Sequence, residues 1–104
     1  MKSSFQFMSE TQKTTLEGYI DIPDEDLELV IKELPIHTEL TKREEGCIIF
    51  EVTRDLSIHN RFIVYEVFDS KASFTYHQER VKNSRWGEIT KNAARHYKIN
   101  HSQG

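Results

Sequence analysis

The stretch Arg61–Phe68, RFIVYEVF, decides the fold. Its residue types favour a β-strand, and a strand turns successive side chains to opposite faces. Phe62, Val64 and Phe68 lie on one side; Ile63, Tyr65 and Val67 lie on the other. Glu66 is the lone charged residue between Phe62 and Phe68. A sheet with one wet face alternates apolar and polar residues, and this stretch does not. Cys47–Val52, CIIFEV, is similar, with Ile49 opposed to Ile48, Phe50 and Val52. The polar segment Arg54–Asn60 between them reads as a loop, so the two strands form a hairpin. Helices cover one face of a small sheet. Three apolar residues left wet on the other face would forgo about 1.5–3 kcal/mol each. A second copy of the chain is the simplest cover, so the expectation is a homodimer with sheets packed face to face. The N-terminal segment folding over the sheet is the competing cover.

Working outward, Thr15–Ile22 alternates, with Leu16, Gly18, Ile20 and Ile22 opposed to Glu17, Tyr19 and Asp21. This predicts a first strand. Pro23-Asp24 ends it and opens a helix, with Asp24 as expected N-cap and Glu25 and Asp26 where the helix dipole favours anions. Leu27, Val30, Ile31 and Leu34 follow helical spacing, and the stripe extends to His37, Thr38 and Thr41. Pro35 predicts a kink and Gly46 the helix end. After the hairpin, Ser70 caps a helix whose inward stripe is Phe74, His77, Gln78 and Val81. Ser84 caps a short helix carrying Trp86, with Gly87 in its first turn. Ala94–Ile99 reads as a last strand. The expected order is β-α-β-β-α-β, an α+β, ferredoxin-like antiparallel sheet. The domain spans residues 14–100, residues 1–13 form a flexible tail, and residues 101–104 a second tail. Met8 offers an alternative start.

Composition narrows the function classes. The chain has 104 residues, 37% apolar and 30% charged, which is globular and fits one domain. A net charge of −3 argues against a general nucleic-acid binder. The lone cysteine, Cys47, excludes an intrachain disulfide and reads as a small hydrophobe. No apolar run is long enough for a membrane span or a signal peptide, so a cytoplasmic setting is expected. Asp21–Glu33 holds six acids against one base, and Ser70 onward seven bases against two acids. The basic half suits an anionic ligand; solvated helix faces are the plainer account.

No nucleotide-binding loop, nucleophile elbow or zinc-protease motif is present. What remains is polar residues at inward positions. His77, between Phe74 and Val81, has the pKa range of a general base. Glu66 sits in an apolar strand, so it needs a partner, Arg95 or Arg61, or a raised pKa. His37 lies one turn past Pro35. Trp86 and Tyr19 offer flat apolar walls. His37, His77 and Glu66 have the composition of a two-His, one-carboxylate iron site, but they come from three elements with no supporting spacing.

Glu17–Ile99 resembles the antibiotic biosynthesis monooxygenase (ABM) domain family. The resemblance lies in Gly18-Tyr19-Ile20, Leu34-Pro35 with His37 and Thr41, Glu45-Gly46-Cys47 and Phe50-Glu51-Val52. It continues in Arg61-Phe62, Glu66-x-Phe68, Phe74-x-x-His77-Gln78 and Ser84-x-Trp86-Gly87. The resemblance implies a dimeric α/β barrel with a pocket between sheet and helices in each subunit. It implies oxidation of a phenolic or quinol-type substrate with O2, needing no flavin, haem or metal. His77 matches the family's helix histidine and Glu66 its strand carboxylate. The resulting expectation is catalytic His77, Glu66 and His37, with Trp86, Tyr19, Phe50, Phe68, Phe74 and Arg95 contacting substrate. No cofactor, nucleic acid or membrane is expected. Phe68 and Lys82 depart from many relatives, which carry Trp or Tyr and a second histidine there. Gly87 stands where haem-degrading relatives place their iron ligand, which disfavours that activity. The family also contains an isomerase of a phosphorylated sugar, and a ligand-binding dimer without turnover is the non-enzymatic alternative.

Overall fold

The structure, a computed structural model, describes residues 12–102. Its elements are β1 (Lys13–Asp21), α1 (Asp24–Lys42), β2 (Cys47–Arg54), β3 (Arg61–Phe68), α2 (Lys71–Lys82), α3 (Arg85–Ile89) and β4 (Ala94–Ser102). The strands pair antiparallel in the order β2-β3-β1-β4. This is the α+β, ferredoxin-like arrangement, with α3 added ahead of β4.

The ends differ from the sequence expectation. Residues 1–11 of the expected N-terminal tail lie outside the described residues, and Lys13 already belongs to β1. The last strand runs past Ile99, because β1 still offers partners there: Thr14 pairs with His101 and Lys13 with Ser102. The C-terminal tail expected from residue 101 is therefore strand as far as Ser102.

All the helices pack on one face. Leu16 and Ile20 of β1 and Phe62, Val64 and Phe68 of β3 form a core with Val30, Phe74 and Trp86. On α1 the buried line runs Leu27, Val30, Leu34, His37, Thr41 in steps of three and four residues. That line is narrower than the predicted stripe, and Ile31, one position around the helix, is exposed. The expected kink does not divide α1, which continues through Pro35 to Lys42 with the proline on its exposed side. Asp24 is not the N-cap; Pro23 occupies that position without a side-chain bond, and Asp24 begins the helix. Arg43, not Gly46, closes the C-terminus, its N–H donating to the Glu39 carbonyl and the next N–H, of Glu44, to that of Thr41. Gly46 is small for another reason: a Cβ there would collide with the Ser73 side chain and crowd the Asp69 carboxylate.

β2 carries a bulge between Cys47 and Ile49. Phe50 and Val52 still face the core, opposite Glu66 and Val64. The extra residue at the bulge frees Ile48, which is exposed rather than sharing the inner side. On the far face of the sheet no described element lies over Ile63 and Tyr65, which are 40% and 37% exposed.

Candidate active site

A cavity of about 500 Å³ opens between the inner face of the sheet and α1, α2 and α3. Five elements supply its polar groups, each set by local register. β3 turns Glu66 inward, paired with Leu16 and Phe50. α1 presents His37 and Thr41 on its buried line, and Glu44 follows just past the helix end. α2 starts where the Ser70 hydroxyl accepts from the Ser73 N–H at 3.1 Å, which places His77 and Arg80 one turn apart on one side. α3 starts the same way, Ser84 accepting from the Gly87 N–H at 3.2 Å, and presents Trp86. β4 contributes Arg95 and Tyr97.

His77 is the centre of the arrangement. Its Nδ1 lies 3.0 and 3.2 Å from the two Glu44 oxygens. A carboxylate only accepts, so Nδ1 carries the proton and Nε2 keeps its lone pair. Arg80 completes the support, donating Nε to Glu44 at 2.6 Å and Nη2 to the Thr41 hydroxyl at 3.0 Å. Burial lowers the His77 pKa, against the opposing hydrogen bond to Glu44. The imidazole is thus neutral at neutral pH, a base held in one tautomer.

Nε2 of His77 points toward Glu66, whose Oε1 is 3.8 Å away, beyond hydrogen-bond reach. That buried oxygen has no partner among the described residues. Burial pushes Glu66 up to about 7, and the Glu44 charge adds to the effect. Of the two alternatives for Glu66, the ion pair does not form: Arg61 binds Asp21 at 2.7 and 3.0 Å, and Arg95 binds Thr90. His37 stacks on Trp86 with centroids 4.5 Å apart and planes 4° from parallel. Burial, then the charges of His77, Arg80 and Arg95, push His37 down to about 3. Its Nδ1 is also buried without a partner. Two orphaned polar atoms beside one cavity are a demand for a polar ligand or water.

The structure brings together His77, Glu66, His37, Trp86 and Arg95 around this space. Phe50, Phe68 and Phe74 are buried behind it: Phe68 lies 4.8 Å from the His77 ring and Phe50 5.4 Å from His37. Phe74 packs one layer deeper, on Phe68 at 5.6 Å. They buttress the histidines and do not line the cavity. Tyr19 is on the opposite face of the sheet, stacked on His96 at 4.7 Å under the Arg61 guanidinium at 3.8 Å. Its strand parity with Glu17 and Asp21 put it there. Glu44, Arg80 and Tyr97 were missed in the sequence. The buried line of α1 extended by one more three-residue step reaches Glu44, and Arg80 follows His77 at helical spacing. Burial raises the Cys47 thiol, with Glu44 adding to it, so Cys47 stays a protonated, unreactive group. Among the described residues no three His, Cys, Asp or Glu side chains converge as a metal set, and no helix is long and apolar enough to cross a membrane.

Solved structures share this fold. An antibiotic biosynthesis monooxygenase, so named provisionally, from Nitrosomonas europaea superposes with a TM-score of 0.71 at 19% identity, covering 91% of each chain. A conserved protein of unknown function from Bacteroides thetaiotaomicron gives 0.70 at 16% identity, covering 88% of this chain and 98% of the other. A Pseudomonas aeruginosa protein gives 0.69 at 19% identity, covering 92% and 96%. No curated protein matches the chain. The family model for antibiotic biosynthesis monooxygenase matches residues 14–88. That segment contains the Glu44–His77 pair, Glu66 and Trp86, while β4 with Arg95 and Tyr97 lies beyond it; the match spans most of the chain, and the chain belongs to the antibiotic biosynthesis monooxygenase family.

Proposed function

We propose that the cavity binds a small hydroxylated aromatic and oxidises it with O2. The carrying observation is the Glu44–His77 pair, which holds an imidazole lone pair 3.8 Å from an unpartnered Glu66 oxygen. A phenolic hydroxyl that approaches both from the cavity side gives its proton to His77 Nε2. Glu66, at about 7, is divided between acid and carboxylate at neutral pH, so its acid form donates a hydrogen bond to the phenolate oxygen and can later give its proton to the reduced oxygen. The electron-rich phenolate then supplies the electrons itself. One oxygen atom forms a new carbonyl on the ring and the other leaves as water, so a naphthol and O2 give a naphthoquinone and H2O. The Trp86–His37 stack forms one flat apolar wall of the cavity against which the ring packs. The active unit in this reading is a homodimer, the twin covering Ile63 and Tyr65.

Oxygen uptake with 1-naphthol and substituted hydroquinones, in metal-free buffer, tests the reading. His77→Ala is expected to lower the rate by about 10²–10⁴-fold with the fold intact. Conversion without oxygen consumption would replace oxidation by isomerisation. Saturable binding without turnover would make the protein a ligand-binding dimer.

A further inference from the structure

Arg95 is a guanidinium on the cavity wall with no carboxylate partner among the described residues. It is nonetheless fixed in place. Its Nη1 donates to the Thr90 carbonyl at 3.1 Å and its Nη2 to the Thr90 hydroxyl at 2.8 Å. Thr90 is itself buried, its hydroxyl donating to the Trp86 carbonyl at 2.6 Å. Both bonds use the outer end of the guanidinium. A guanidinium has five N–H donors; these bonds use two and the neighbouring Tyr97 hydroxyl competes for one more, which leaves donors for a planar carboxylate. The next inward residue of β4, Tyr97, is pushed up to about 12 by burial and so remains a neutral phenol beside it.

The other charges of the wall do not account for this cation. Glu66 is raised by burial and by Glu44, and Arg95 offsets neither. Glu79 and Lys82 share the rim and cancel in net charge. A full positive charge with donors to spare therefore faces a cavity in which Glu66 is only partly ionised and the base is carried by α2. We infer that Arg95 holds a carboxylate of the ligand, which makes the preferred substrate a hydroxylated aromatic carboxylic acid rather than a neutral phenol. A phosphate dianion would leave one charge unmatched. The inference rests on the reading of the cavity as an aromatic-binding site.

Isothermal titration calorimetry under nitrogen reads binding apart from oxidation. The probes are 1-hydroxy-2-naphthoate, 1-naphthol and 1-naphthyl phosphate. The native chain is expected to bind the hydroxynaphthoate about tenfold or more tighter than the naphthol, the range of a charge-assisted bidentate pair. In Arg95→Gln that ratio is expected to fall to within about twofold of unity, and in Lys82→Gln to persist. Equal binding of the two aromatics by the native chain overturns the inference without any variant having to fold. So does a preference that survives Arg95→Gln, one that is lost in Lys82→Gln alone, or tighter binding of the naphthyl phosphate. Absence of binding by all three compounds overturns it together with the reading of the cavity. Selective carboxylate binding without oxygen uptake supports it while removing the oxidation.

Discussion

Glu66 and His37 pull stability in opposite directions with pH. Glu66 is held near 7 where a free glutamate has 4.5. Between those values the folded chain keeps a proton that the unfolded chain has released, so this group's contribution to stability falls as pH rises. His37 is held near 3 where a free histidine has 6.5. Between those values the unfolded chain takes up a proton that the folded chain refuses, so its contribution falls as pH falls. The two slopes oppose each other across the shared window from 4.5 to 6.5, and the lowered His77 tilts the balance toward loss in acid. Removing one group exposes the other. Relative to the native chain, Glu66→Gln should gain stability between pH 4.5 and pH 8, on the order of 3 kcal/mol by the shift of a buried carboxyl. Urea unfolding of both proteins at the two pH values measures this. A stability difference that stays constant with pH would mean that Glu66 is not a buried acid. His77 and Glu66 were legible as lone polar residues in apolar patterns. Glu44 was not, because the expected stripe stopped at Thr41 and Glu44 read as part of the turn that ends the helix at Gly46.

Elements are positioned by close approaches as much as by caps. Ser70 and Ser84 were readable as caps because a hydroxyl ahead of a helical stripe satisfies N–H groups that have no helical partner. The short α3 depends on more than its cap. A Cβ on Gly87 would collide with the backbone carbonyl of Val81, at the end of α2, and a backbone atom has little room to give way. Gly87→Ala is expected to destabilise the chain by about 1–3 kcal/mol through overpacking. It should also loosen α3 first. The chain has one tryptophan, on that helix, so its emission should shift to the red below the midpoint of global unfolding seen by circular dichroism. Coincident transitions would show that α3 is not held by that contact. The bulge in β2 lay beyond sequence reading, since strict alternation from Cys47 gives Ile48 to the core, and only pairing with β3 reveals the extra residue.

At the scale of the molecule, the sheet has one face closed by helices and one left open. Ile63 and Tyr65 on the open face are flanked by polar and charged neighbours such as Glu17, Lys98 and Glu51. Such a face is apolar enough to pair and polar enough at its edges to fix an orientation. Sedimentation at micromolar concentration should give a dimer. The double variant Ile63→Lys and Tyr65→Lys should sediment as a folded monomer, because like charges then meet across the two-fold axis. A native chain that sediments as a monomer would remove the dimer.

The sequence by itself determined the strands, the helices, their order and the side of β3 that carries Glu66. Periods of two and of 3.6 residues are local properties, set by backbone geometry before any long-range contact exists. Only the tertiary structure decided which polar residues meet. Glu44 reaches His77 across 33 positions in the chain, and Arg95 is held by Thr90 at a cavity wall made of six elements. Such meetings follow from how helices settle on a twisted sheet, and that packing has no signature in the spacing of residues along the chain.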